Sequence, residues 1–196
     1  SEIVREIEDK SKKARAIGNV SELHFEVFEL CNEYLRKSNR ELEGIQKSSP
    51  RYKVIRRGQI EMQDFHKFHL LSWASIESQF YIQTAKIQAA LNDKIENAQK
   101  SLAVIDTAGQ FYPNEESLLQ SREAIKEFIV SIKVSHWIEQ AERSAFKGHF
   151  QRAINHYRDA LFFLARENER TPNKEILADE INSKIESLRK KTKNIK

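Results

Sequence analysis

Two histidines three residues apart, His66 and His69, with Glu61 and Asp64 nearby, have side chains of the types that bind metals. On a helix this spacing sets two imidazoles on adjacent turns, but a usable site takes a third and fourth ligand from elsewhere. The reading adopted is histidines on a mixed helix face, with no metal and no cofactor expected. His149 and His156, seven apart, share a helical face and suit an acidic or aromatic group of a ligand. Lys47, Arg51, Lys53, Arg56 and Arg57 form a basic stretch without an acid. Within it Tyr52 could stack on a base while the cations hold phosphates. Cys31, the one cysteine, has no partner for an intramolecular disulfide. It reads as a small buried hydrophobe in a reducing compartment.

Other chemistry has no foothold in the sequence. It contains no Gly-rich phosphate loop, Walker-type lysine, nucleophile elbow or zinc knuckle, and no Glu-x-x-His pair of the kind that builds a di-iron bundle. No enzyme is expected. No apolar run approaches the roughly 20 residues needed to cross a bilayer, and no secretory h-region opens the chain. A cytoplasmic protein is the expectation.

The elements that carry these residues should be helices. The 196 residues include only 5 Gly and 3 Pro, and 32% are charged. Scarce breakers and a mean hydropathy of -0.66 favour long amphipathic helices. Charge is uneven: residues 47–59 and 184–196 each carry +5 against a total of +4, so the remainder carries -6. Two local basic stretches of this kind suit nucleic acid or an acidic partner.

Along the chain, Ile3, Ile7, Ala14 and Ile17 mark one stripe of a first helix that stops at Gly18. Asn19, with Glu22 three residues on, has capping-box spacing for a second helix. That helix repeats Leu23, Val27, Leu30, Cys31, Tyr34 and Leu35 at three- and four-residue steps, while Phe25 and Phe28 fall off the stripe and imply a second contact surface. Pro50 disfavours helix at Ser49, placing a hinge near 47–58. From Ile60 to about Leu91 nothing breaks a long helix contacted on several sides. A shorter helix follows from about Asp93 to Thr107, ending near Gly109. Asn114 starts the next, which continues unbroken to Lys147. A last helix begins after Thr171, Pro172 and Asn173 and buries Ile176, Leu177, Ile181, Ile185 and Leu188.

Residues 134–167 carry the most distinctive spacing. Trp137, Ala141, Gly148, Phe150, Ala153, Tyr157, Ala160 and Leu161 combine small residues on helical faces with aromatics at the rim and a glycine at the turn. This segment resembles one tetratricopeptide repeat, although Gln140, Ser144 and Ala165 depart from the family pattern. A weaker echo runs through Ile82, Ala85, Ala89, Ile95, Ala98, Leu102 and Ile105. The resemblance implies an antiparallel helical hairpin, closed by the final helix as a cap. It also implies a groove lined by the first helix of the hairpin, so that Gln140, Arg143, Ser144 and Lys147 meet a partner. Arg152, Asn155, His156 and Arg158 are secondary candidates.

The expectation is an all-α chain of six to eight helices in antiparallel hairpins, either a tetratricopeptide-like array or an irregular bundle. Residues 1–46 form an N-terminal hairpin and residues 59–196 the long helix and the array. The function expected is a non-enzymatic protein-interaction or scaffold module that binds a peptide or helix. A homo-oligomer is compatible with it, and no membrane partner is expected. Nucleic-acid binding through Arg51, Tyr52, Lys53, Arg56 and Arg57 stands second.

Overall fold

The computed structural model describes residues 2–166 and 172–193, which form seven α-helices. These are α1 (Glu2–Ile17), α2 (Ser21–Glu43), α3 (Pro50–Ile87), α4 (Leu91–Phe111), α5 (Glu116–Phe146), α6 (Phe150–Ala165) and α7 (Pro172–Lys193). No strand occurs among the described residues, and the fold is all-α as expected. By their contacts the residues form two compact units, 1–81 with 103–119, and 82–102 with 120–196.

In the first unit the α1 stripe packs on α2 through Ile7, Ala14, Val27 and Cys31, joined by Met62 of α3. All five are at most 1% exposed, and burying side chains of the larger kinds contributes roughly 1.5–3 kcal/mol each. Ile17, expected on that stripe, is 52% exposed, because it is the last residue of α1 and the chain turns away at Gly18. The second surface expected of α2 exists. Phe28 meets the edge of Phe111 with ring centroids 5.1 Å apart, and Phe25 lies 4.9 Å from Trp73. The capping box does not form: α2 starts at Ser21 after an extended Val20, with no side-chain cap. The Ser21 hydroxyl donates instead to Glu77, at 2.6 Å.

The helix break expected near 47–58 falls earlier, at residues 44–49, because α3 begins at Pro50, and both sides of it belong to the first unit. Proline suits a first helical position, where its missing N–H costs nothing and its φ is already helical. The helix therefore starts ten residues before Ile60, and Gly58 lies inside it. The buried face of α3 also differs from the one its large apolar residues suggest. Met62, Leu70 and Ala74 are buried, and so are Gln59, His66, His69 and Ser78, whereas Phe68, Phe80 and Ile87 are exposed. Each of these polar residues has a hydrogen-bond partner inside, although His66 Nε2 has none. Gln59, for example, donates to Ser38 Oγ at 2.9 Å and Asn39 Oδ1 at 2.7 Å. Further on, α4 continues past Gly109 to Phe111, and α5 begins at Glu116 rather than at Asn114.

The second unit holds α5 from Gln120, α6 and α7 around one core. Val134 and Ala141 of α5, Ala153, Ile154, Tyr157 and Ala160 of α6, and Ile181, Ile185 and Leu188 of α7 form it. Ile176 was expected inside and is 57% exposed, while Leu177 packs partly against the core. Thr171 and residues 194–196 lie outside the described residues. The α5–α6 turn closes as a Schellman motif. His149 N–H donates to Ser144 C=O at 2.9 Å and Gly148 N–H to Ala145 C=O at 3.0 Å, with Gly148 at φ 77°. A Cβ added at Gly148 would meet nothing within 4 Å, so Gly148→Ala isolates backbone strain. The substitution is expected to lower the unfolding free energy by about 1–2 kcal/mol, read from the urea midpoint at unchanged slope.

Candidate functional site

The residues proposed to meet a partner divide by exposure. Arg143 and Lys147 are exposed near the end of α5, Gln140 is half-buried, and Ser144 is only 8% exposed. Ser144 therefore faces the interior and is withdrawn as a contact. It lies three residues past the buried Ala141 and shares its face, so the packing that holds Ala141 also covers it. Arg143 pairs with Glu139 one turn earlier, and Glu142 accepts from Lys184 of α7 at 2.9 Å, a bond that raises the Lys184 pKa. Phe146 stands 94% exposed between Arg143 and Lys147 in sequence, with the exposed Arg152 just beyond the turn.

The two histidines of the hairpin do not act together. His149 is the exposed N-cap residue of α6, whereas His156 stacks on Trp137 with ring centroids 5.4 Å apart. His156 Nδ1 is buried 3.9 Å from the Asp159 carboxylate, beyond hydrogen-bond reach. Asn155 and Arg158 are exposed on α6, and Gln151 donates to Asn155.

The basic stretch is spread along the first turns of α3. Arg51 pairs with Glu41 of α2, and Arg56 donates to Gln59 Oε1 at 2.7 Å. Lys53 and Arg57 are exposed, and Tyr52 is half-buried. The first turn of α3 carries no acid, so cations there meet the positive end of the helix dipole, and Glu41 offsets that repulsion for Arg51.

His66 and His69, expected on a mixed helix face, are instead buried at 5% and 0% exposure. Each has its own partner. His66 Nδ1 shares a hydrogen bond with the Tyr112 hydroxyl at 2.5 Å, and His66 Nε2 is buried with no hydrogen-bond partner. Burial pushes the His66 pKa down to about 4 and the Tyr112 pKa up to about 12. Among the described residues no group of three or more His, Cys, Asp or Glu is placed to hold a metal ion.

His69 is the centre of a buried chain of hydrogen bonds. His69 Nε2 lies 2.8 Å from Ser11 Oγ, His69 Nδ1 lies 2.9 Å from His24 Nδ1, and His24 Nε2 lies 3.2 Å from the Gly18 carbonyl oxygen. A carbonyl only accepts, so the network assigns every proton: His24 Nε2–H donates to Gly18, His69 Nδ1–H donates to His24, and Ser11 O–H donates to His69. Arg15 Nε–H then donates to Ser11 Oγ at 3.3 Å, and its guanidinium lies 3.8 Å from the centroid of the Phe68 ring. Burial is the main cause that lowers the His69 pKa to about 4, with the neighbouring His24 and Arg15 adding to it. Ser11, Arg15 and His24 were not singled out in the sequence. A signal was present, since Ser11 follows Ile7 by four residues and His24 precedes Val27 and Phe28, each a polar residue on an otherwise apolar stripe.

Comparison with protein-family models, with curated proteins and with solved structures finds no match to this chain. Among the described residues no helix is long and apolar enough to cross a membrane.

Proposed function

We propose that this chain is a non-enzymatic, cytoplasmic interaction module, and that its C-terminal hairpin receives an acidic amphipathic peptide or helix in the manner of a tetratricopeptide-like unit. The observation that carries this reading is Phe146, an aromatic ring 94% exposed beside the cations Arg143 and Lys147. Water around a bare ring of that size is unfavourable, and aromatic and arginine side chains are the usual anchors of interfaces. Gln140 flanks the same stripe. The partner such a surface fits offers an apolar pocket or side chain against Phe146 and carboxylates against the two cations.

A fluorescein-labelled acidic amphipathic peptide, titrated by anisotropy, tests it. Binding is expected to weaken at least tenfold in Phe146→Ala and again in a variant carrying Arg143→Glu and Lys147→Glu. Affinity unchanged in both variants counts against the surface. A duplex DNA probe bound instead, and released by Lys53→Glu with Arg57→Glu, favours the nucleic-acid reading.

A further inference from the structure

The first unit contains a wide, solvent-open cleft of about 760 Å³, and it lies apart in sequence from the C-terminal hairpin. Its floor is one continuous face of α3, where Phe68, Leu71, Ser72, Ser75 and Ile76 follow helical spacing. Arg15, Gly18, His24 and Ser117 complete the lining. Arg15 is the only permanent charge among these residues, and no carboxylate lines the cleft. Among the described residues Arg15 makes no ion pair, and its contacts are the Ser11 hydroxyl and the Phe68 ring. Glu77 of α3 accepts from Ser21 and does not line the cleft.

The guanidinium is also held in place. Ser11 accepts from Arg15 Nε, and Ser11 is itself oriented by the chain through His69 and His24 to the Gly18 carbonyl. Both ends of that chain line the cleft, Arg15 at one end and His24 with Gly18 at the other. Phe68 supports the other side of the group as a ring beneath a cation. With Nε engaged, the terminal nitrogens remain for a planar acceptor, the geometry in which arginine binds a carboxylate through two parallel bonds.

We propose that this cleft binds a small amphiphilic carboxylate, its head paired with Arg15 and its apolar tail lying along Phe68, Leu71 and Ile76. Ser72 and Ser75 add hydroxyls able to donate to the head or to its hydration, whereas the Ser117 hydroxyl is engaged by Glu115 at 3.3 Å. Ser11, His69 and His24 act as positioning residues, since they orient Arg15 and do not themselves meet the ligand head.

Octanoate, 1-octanol and acetate, titrated calorimetrically into the full chain, are the probes. Octanoate is expected to bind saturably with one site, and octanol and acetate at least tenfold more weakly, because each lacks half of the recognition. Arg15→Gln, at an exposed position, should bring octanoate down to the level of octanol. Ser75→Trp fills the cleft without touching Arg15 and should abolish binding, which keeps the test decisive if Arg15→Gln proves unstable. The variant carrying Arg143→Glu and Lys147→Glu should bind octanoate as the unaltered chain does. Absent octanoate binding, equal affinity for octanol, an unaffected Arg15→Gln or Ser75→Trp, or a loss in the hairpin variant would each overturn the proposal.

Discussion

Acidification from pH 6.5 to pH 4 is expected to remove several kcal/mol of stability from the first unit. His66 and His69 each have a folded pKa lowered from 6.5 to about 4, chiefly by burial. Between those values the unfolded chain binds protons that the native chain does not. Stability therefore rises with pH across this window. It is fully present above pH 6.5 and is lost as pH falls toward 4, on the order of 3 kcal/mol for each ring. The groups facing His69 make a second charge there worse, because His24 and Arg15 are its neighbours, and His66 is packed among Phe28, Phe111 and the Tyr112 hydroxyl. Glu115 belongs to a different window: Lys67 holds its pKa down, so its contribution is present above the usual carboxylate value and is lost only below it. Thermal unfolding followed by circular dichroism from pH 4 to 8 measures the profile. A flat curve between 4 and 6.5 would show that these rings are not buried neutral.

His69→Leu is the substitution with the largest expected cost. Leucine fills much of the space but leaves the Ser11 hydroxyl proton and His24 Nδ1 without partners in a site where Ser11 is 2% and His24 4% exposed. An orphaned buried polar group costs roughly 1–3 kcal/mol, so about 2–6 kcal/mol is expected from urea unfolding. Adding Ser11→Ala removes one of the two orphans and should recover part of the loss, a coupling that separates a broken hydrogen-bond chain from a simple cavity. The pH profile of His69→Leu should also be shallower than that of the unaltered chain. A cost below 1 kcal/mol would mean that the chain of hydrogen bonds contributes little.

The C-terminal hairpin was the most legible part of the sequence because its determinants are local. Ala141, Ala153, Tyr157 and Ala160 are buried where their spacing put them, and Gly148 takes the left-handed conformation that ends α5. Ser144 was misplaced because a family-derived groove position says nothing of how this particular helix is covered. The buried face of α3 was illegible for a different reason. A polar residue in a core is decided by a partner distant in sequence, and His69 finds Ser11 58 residues away and His24 45 residues away. Hydropathy ranks Phe68, Phe80 and Ile87 as core and His66, His69 and Gln59 as surface, the reverse of their burial. The hinge was placed too far along because Pro50 was read as a breaker when it serves as a helix start.

Cys31 gives the chain a clock of its own. Its thiol sits at 0% exposure beside Ile7 and Met62, and burial pushes its pKa up to about 12. In the native state it is both shielded and protonated, whereas it is the exposed thiolate that attacks a thiol reagent. Labelling must wait for α1, α2 and the start of α3 to come apart around that one sulfur. The reaction rate therefore counts openings of the N-terminal core alone. Because the sequence holds no other cysteine, the count needs neither a dye attached elsewhere nor a mutation.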